Sequence, residues 1–215
     1  MEWGDQISLA RLYEFAQEHR HDREALRIEK RTGLGGDYTK LCEDITNGIG
    51  EEQGFYLWGY YDREGGLWRN VYLGMAGYGN KKSLKKRIKE ELKDERACIW
   101  RHVYTPEELM EIRNDIHNGK YAQGWKRAMR KAGTTHIVWV AAPEIESSKV
   151  RDVESDLIEA LSPRANLQRH TPPGNLQGEA EKVFAAFRRI IHDSRGGGFP
   201  LNVKGGLTLE ELLAG

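Results

Sequence analysis

The stretch GFYLWGYYDREGGLWRNVYLG, from Gly54 to Gly74, constrains the fold more than any other part of the chain. Phe55, Leu57 and Gly59 alternate with Tyr56, Trp58 and Tyr60, which is the period of a half-buried strand. After the turn sequence DREGG, Val71 and Leu73 alternate with Tyr72 and Gly74 in a second strand. Two such runs around a short turn read as an antiparallel hairpin. Side chains alternate across a strand, so Tyr56 and Tyr72 both project opposite to Phe55, Leu57, Val71 and Leu73. In a hairpin they can share one face.

The other elements must be arranged around that hairpin. Residues 5–31 read as a helix, with Ile7, Leu9, Leu12, Phe15 and Ala16 as its apolar stripe and Gly33 to Gly36 as its end. A short helix is expected over 38–45. Ser83 reads as an N-cap for a helix whose Leu84, Ile88 and Leu92 fall at i, i+4 and i+8, with Arg87 at the edge of this stripe. Residues 94–132 read as mostly helical, with TPEE at Thr105 to Glu108 as a helix start. HIVWVAAPE, from His136, reads as a third strand. Val150, Val153, Leu157, Ile158 and Leu161 mark a helix that Pro163 stops, and a last helix is expected over 179–192.

Bulk properties bound the function. The 215 residues suffice for one core, or one core plus extensions. No run of about 18 apolar residues is present, so no membrane span is expected. The N-terminus carries acids where a signal peptide would carry Lys or Arg. Two cysteines, Cys42 and Cys98, are too few for a disulfide framework or a cysteine metal site, which fits a reducing, cytoplasmic setting. Net charge is zero but unevenly spread: residues 1–70 hold 9 Lys+Arg against 14 Asp+Glu, leaving 24 against 19 for the rest. Lys81 to Arg101 holds 9 basic and 4 acidic residues, and Lys120 to Lys131 holds 5 basic and none acidic. A locally basic surface on a neutral protein suits an anionic partner that must be released. Its ordinary alternative is a solvated helix face.

Several chemistries drop out. The seven histidines are scattered and suggest no zinc site. The chain has no P-loop, no G-x-S-x-G elbow and no cysteine in a nucleophile context. What remains is an ordered set: Tyr56, Tyr72, Arg87, Glu154 and Asn166. Singly, each has an ordinary reading as a strand aromatic, a solvated helix charge or a turn residue. Glu154, bracketed by Val150, Val153, Leu157 and Ile158, borders a packed face, where a carboxylate needs a partner such as Arg87 or a metal ion.

Taken in order, these residues resemble the GIY-YIG nuclease family. Gly54-Phe55-Tyr56 resembles its first motif and Tyr72-Leu73-Gly74 its second. The segment from Ser83 to Ile88 resembles the helix carrying its catalytic Arg, and Glu154-Ser155-Asp156-Leu157-Ile158 with Pro163 and Asn166 resembles its late motif. The likeness covers roughly residues 53–93 and 134–168. It implies an α/β (α+β) fold, a small three-stranded antiparallel sheet flanked by helices, and metal-dependent cleavage of DNA. Glu154 would bind one Mg²⁺ or Mn²⁺, and Arg87 would hold a non-bridging phosphate oxygen. Tyr56 would help take the proton of the attacking water, with Tyr72 orienting it or sharing the task, and Asn166 would position groups around the site. The chain departs from the family at Met75, where Lys is common, and at Glu91, where His or Tyr is common. Lys81, Lys82 or Glu91 are the candidates to substitute.

The expected organisation is a helical extension over 1–50, a nuclease core over 51–170 with a helical insert at 94–132, and a C-terminal helix and arm over 171–215. DNA contacts are expected from Lys81, Lys82, Lys85 and Lys86, and from Lys126, Arg127, Arg130 and Lys131, with Trp125 as a packing residue. The expected protein is a cytoplasmic, DNA-associated endonuclease of restriction or mobile-element type, with no organic cofactor. One site cuts one strand, so a double-strand cut would need a homodimer or two binding events. The rival expectations are a catalytically inactive nucleic-acid-binding module of the same fold and a protein-interaction domain.

Overall fold

The computed structural model describes residues 4–22, 33–62, 66–78, 83–94, 96–105, 107–111, 129–166 and 176–194. In chain order the elements are β1 (Gly4–Ser8), α1 (Ala10–Glu18), α2 (Leu34–Ile45), β2 (Gly54–Tyr61), β3 (Trp68–Ala76), α3 (Leu84–Asp94), α4 (Ala97–Trp100), β4 (His136–Ala141), α5 (Val150–Leu161) and α6 (Gly178–Asp193). The fold is mixed α/β. Its sheet has four strands in the order β1-β4-β2-β3, every pairing antiparallel.

The hairpin, the third strand at His136 and the helices around Leu84, Val150 and Val183 lie where the periodicity puts them. The N-terminus does not. Gly4–Ser8 is a strand rather than the start of a helix, and it makes the sheet four-stranded instead of three-stranded. GDQIS has no apolar alternation, so nothing local marks it as a strand. Pairing with β4, from Gly4 opposite Val140 to Ser8 opposite His136, defines it instead. Gly4 is needed there, since a Cβ would lie 2.6 Å from the Trp139 carbonyl oxygen and 2.8 Å from Ile190 Cδ1. Helix α1 then occupies only Ala10–Glu18, and residues 23–31 of the expected helix lie outside the described residues.

The chain forms two compact units. The first takes its described residues from 4–8, 46–88 and 135–194; the second takes them from 9–45 and 89–134. Residues 4–8 and α6 therefore belong with the sheet rather than with separate extensions, and residues 9–45 group with the segment after 88.

In the first unit, Phe55, Leu57, Leu73, Val138 and Val140 share a core with Val150, Val153, Leu157 and Ile158 of α5 and with Val183, Phe187 and Ile190 of α6. One sheet face is thus covered by two amphipathic helices, each burying its 3.6-residue stripe. In the second unit, Tyr38 and Trp100 meet edge to face with centroids 4.8 Å apart. Tyr13 Oη donates to the Thr134 carbonyl at 2.5 Å, and Tyr38 Oη donates to the Leu92 carbonyl at 2.9 Å. The helix start at TPEE is a reciprocal capping box: Glu108 N–H donates to Thr105 Oγ1 at 3.2 Å, and Thr105 N–H to Glu108 Oε2 at 2.7 Å.

Candidate active site

The pairing of β2 with β3 sets Tyr56 opposite Gly74 and Trp58 opposite Tyr72. Tyr56 and Tyr72 are therefore diagonal neighbours on the sheet face away from the α5–α6 core. Their ring centroids are 6.4 Å apart, with planes tilted by 50°. On the other side of Tyr56, β4 contributes Trp139.

Gly74 provides space. A Cβ at this position would overlap the hydroxyl end of the Tyr56 ring and lie 2.8 Å from its Cε2. The ring of Tyr56 thus lies across β3 where a side chain is missing. That position carries its hydroxyl to α3, where Arg87 Nε donates to Tyr56 Oη at 3.3 Å. Tyr56 is fully buried, while Tyr72 and Arg87 are half-buried.

The position of Arg87 is set by one short segment. Leu84 N–H donates to the Glu52 carbonyl at 2.9 Å and Lys85 N–H to the Gly50 carbonyl at 3.3 Å. Ser83 Oγ caps the helix by accepting from Lys86 N–H at 3.2 Å, and itself donates to Glu51 Oε2 at 2.5 Å. Residues 50–53 also lead directly into β2. The same segment therefore fixes the start of the Tyr56 strand and the start of the Arg87 helix. Gly54 lets the two approach, since a Cβ there would lie 2.7 Å from Leu84 Cδ1.

Asn166 acts on the edge of the hairpin. Leu73 N–H donates to its Oδ1 at 2.9 Å, and its Nδ2 donates to the Leu73 carbonyl at 3.0 Å. Ala165 N–H donates to the Val71 carbonyl at 2.8 Å. The edge strand β3 is thereby capped by an amide that imitates one residue of a neighbouring strand. Nothing in the sequence around Asn166 signals this, because the pairing depends on the path of the chain after α5.

Glu154 is half-buried on α5, which packs against β3. The stripe beside it, Val153 and Leu157, belongs to the core on the opposite sheet face. Its carboxylate can join the tyrosine side only past the β3 edge. The structure thus brings Tyr56, Tyr72 and Arg87 together, puts Asn166 on the same hairpin and places Glu154 on the adjoining helix.

The expected basic contacts fare differently. Lys86 and Arg130 are exposed, and Lys85 donates through Nζ to the Asn47 carbonyl at 3.3 Å. Lys131 does not reach a surface: it is 1% exposed and pairs with Glu91, 3% exposed, at 2.8 Å. A buried ammonium needs a partner, and here it has one. Lys131 is thus corrected from a phosphate contact to an internal ion pair. The same pair takes Glu91 out of the role of a substitute proton carrier. Lys81, Lys82, Lys126 and Arg127, with Trp125, lie outside the described residues.

Among the described residues, no group of three or more His, Cys, Asp or Glu side chains is placed to hold a metal. A hard cation held by one carboxylate and several waters does not need such a group, and the oxygens of Glu154 are of the type Mg²⁺ takes. Compared with known proteins, the chain matches no family model, no curated protein and no solved structure.

Proposed function

We propose that this chain is a divalent-metal-dependent DNA endonuclease of the GIY-YIG type. The observation that carries the reading is the Tyr56–Arg87 hydrogen bond beside Tyr72, made on one sheet face by the hairpin and the helix that follows it. The Gly-x-Tyr and Tyr-x-Gly spacing acquires a physical purpose in this arrangement, since Gly74 leaves room for the Tyr56 ring.

In the proposed reaction, water adds its oxygen to a backbone phosphorus and the bond from phosphorus to the 3′ oxygen breaks. One proton of the water passes to a tyrosine oxygen, and solvent returns a proton to the leaving 3′ oxygen. Arg87, on a helix start held by residues 50–53, supplies a charge-assisted donor to a non-bridging oxygen as charge builds there. Glu154 would hold a Mg²⁺ or Mn²⁺, which when bound supplies positive charge to the phosphate and the leaving oxygen. Asn166 keeps the β3 edge in register, so that Tyr72 keeps its place beside Tyr56. Lys85, Lys86 and Arg130 are the described candidates for phosphate contacts outside the reacting group.

The test is nicking of supercoiled plasmid with Mg²⁺ or Mn²⁺, comparing wild type with Glu154→Ala. Discrete products that need metal and vanish in the variant support the reading. Cutting that survives in Glu154→Ala assigns the activity to another site. A second reading, a nucleic-acid-binding module without turnover, draws on the sequestration of Glu91 by Lys131. It is supported if the protein retains salt-sensitive DNA binding and never cuts.

A further inference from the structure

The resemblance treats the two tyrosines as sharing one task, but their surroundings differ. Tyr56 has no exposed surface, while Tyr72 is half-exposed on the same sheet face. The hydroxyl oxygen of Tyr56 already accepts from Arg87 Nε, and its ring is seated over Gly74. A group shut away from water is poorly placed to take a proton from it, but well placed to hold a guanidinium in one orientation. Rigid positioning of a phosphate-binding arginine is itself worth rate, because a displacement of about 1 Å can cost on the order of a hundredfold. From these contacts, and resting on the endonuclease reading above, we infer that the tyrosines divide the work. Tyr56 is a positioning residue that sets Arg87, and Tyr72 is the catalytic hydroxyl that meets the attacking water.

The proton balance is then explicit. Tyr72 in its phenolate form accepts one proton from the water whose oxygen bonds to phosphorus. The pair of electrons in the bond to the 3′ oxygen leaves with that oxygen, which is protonated from solvent. Tyr72 afterwards returns its proton to solvent. Arg87 remains protonated throughout, held by Tyr56. Gly74 belongs to the positioning side of this division, since any side chain there displaces the Tyr56 ring and through it Arg87.

The experiment is the pH dependence of kcat for metal-dependent cleavage of a short DNA duplex, measured from about pH 6 to about pH 9. Wild type should show a rate that rises with pH. Tyr56→Phe and Gly74→Ala should lose about tenfold to a hundredfold in kcat while keeping that slope. Tyr72→Phe should lose the slope itself. Arg87→Ala should cost about a hundredfold to a thousandfold, and Tyr56→Phe should add little in the Arg87→Ala background, because both remove one interaction. A slope that survives in Tyr72→Phe, or losses in Tyr56→Phe and Arg87→Ala that multiply, would overturn the division. Tyr56→Phe carries the test if Gly74→Ala fails to fold.

If the wild-type protein cuts no DNA under any metal, the endonuclease reading fails, and the division is judged without turnover. With fluorotyrosine incorporated, the Tyr72 fluorine resonance should respond to exchange of H₂O for D₂O and to added oligonucleotide. The Tyr56 resonance should ignore the solvent exchange and move in Arg87→Lys. The reverse pattern refutes the assignment even in the absence of catalysis.

Discussion

Asn166 shows how much one side chain can do for an edge strand. Its amide supplies one acceptor and one donor to the backbone of Leu73, closing a ladder that otherwise ends at β3. Asn166→Ala leaves both backbone groups unpaired in a half-buried place, which should cost about 1–3 kcal/mol in urea unfolding. Asn166→Asp keeps the acceptor and loses the donor, so it should fall between wild type and Ala at neutral pH. Equal losses for the two variants would show that only the Nδ2 bond matters. The sequence discloses the shared face of Tyr56 and Tyr72, because strand period alone decides it. It does not disclose Asn166, since an Asn after a Pro is ordinary turn chemistry until the path of the loop is known. It misplaces Lys131 for a similar reason. A lysine in a basic run looks solvated, and the carboxylate that buries it lies 40 positions away in the chain.

Among the elements, α3 is the one whose ends are most specifically held. Its start is fixed by Gly50, Glu52 and Ser83, and Glu91 farther along it pairs with Lys131. A buried pair is weak evidence of net stabilisation but strong evidence of what happens when half of it is removed. Glu91→Gln or Lys131→Met alone should each destabilise by about 3–5 kcal/mol, because each leaves an uncompensated buried group. The double replacement Glu91→Met with Lys131→Met should be far milder than the sum of the two. A double-mutant cycle by thermal or urea unfolding measures this, and simple additivity would show that the two groups act independently. Helix α3 itself was legible from Leu84, Ile88 and Leu92 with their Ser83 cap. Strand β1 was not, because its five residues carry no pattern of their own and are strand only by virtue of β4.

At the scale of the whole molecule, stability is coupled to pH through histidines that the packing keeps neutral. His136 begins β4, is buried, pairs through Nδ1 with Thr135 Oγ1 at 2.7 Å and meets the Tyr61 ring with centroids 5.4 Å apart. Burial pushes its pKa down to about 4 from an ordinary 6.5. In the second unit, burial likewise lowers the pKa of His102, whose ring lies 5.0 Å from that of Tyr13. A depressed folded pKa means that the unfolded chain binds the proton first, so stability is complete above about pH 6.5 and declines as pH falls toward 4. His136 alone should remove about 2 kcal/mol between pH 7 and pH 5, read as a shift in the urea midpoint. His136→Gln should flatten that dependence, and an unchanged pH profile in the variant would assign the acid sensitivity elsewhere.

The pairing of Gly4–Ser8 with His136–Ala141 carries a consequence for how the protein is made. The strand that closes one side of the sheet leaves the ribosome early, and its partner emerges more than half a chain later. At bacterial to eukaryotic synthesis speeds of about 5–20 residues per second, that is a wait on the order of ten seconds. For that interval the β2–β3 hairpin exists without β4, with Phe55 and Leu57 lacking the Val138 and Val140 that later cover them. The nascent chain must therefore carry a sticky, half-built sheet through most of its own translation, a period in which holdase chaperones govern its yield more than the final stability does.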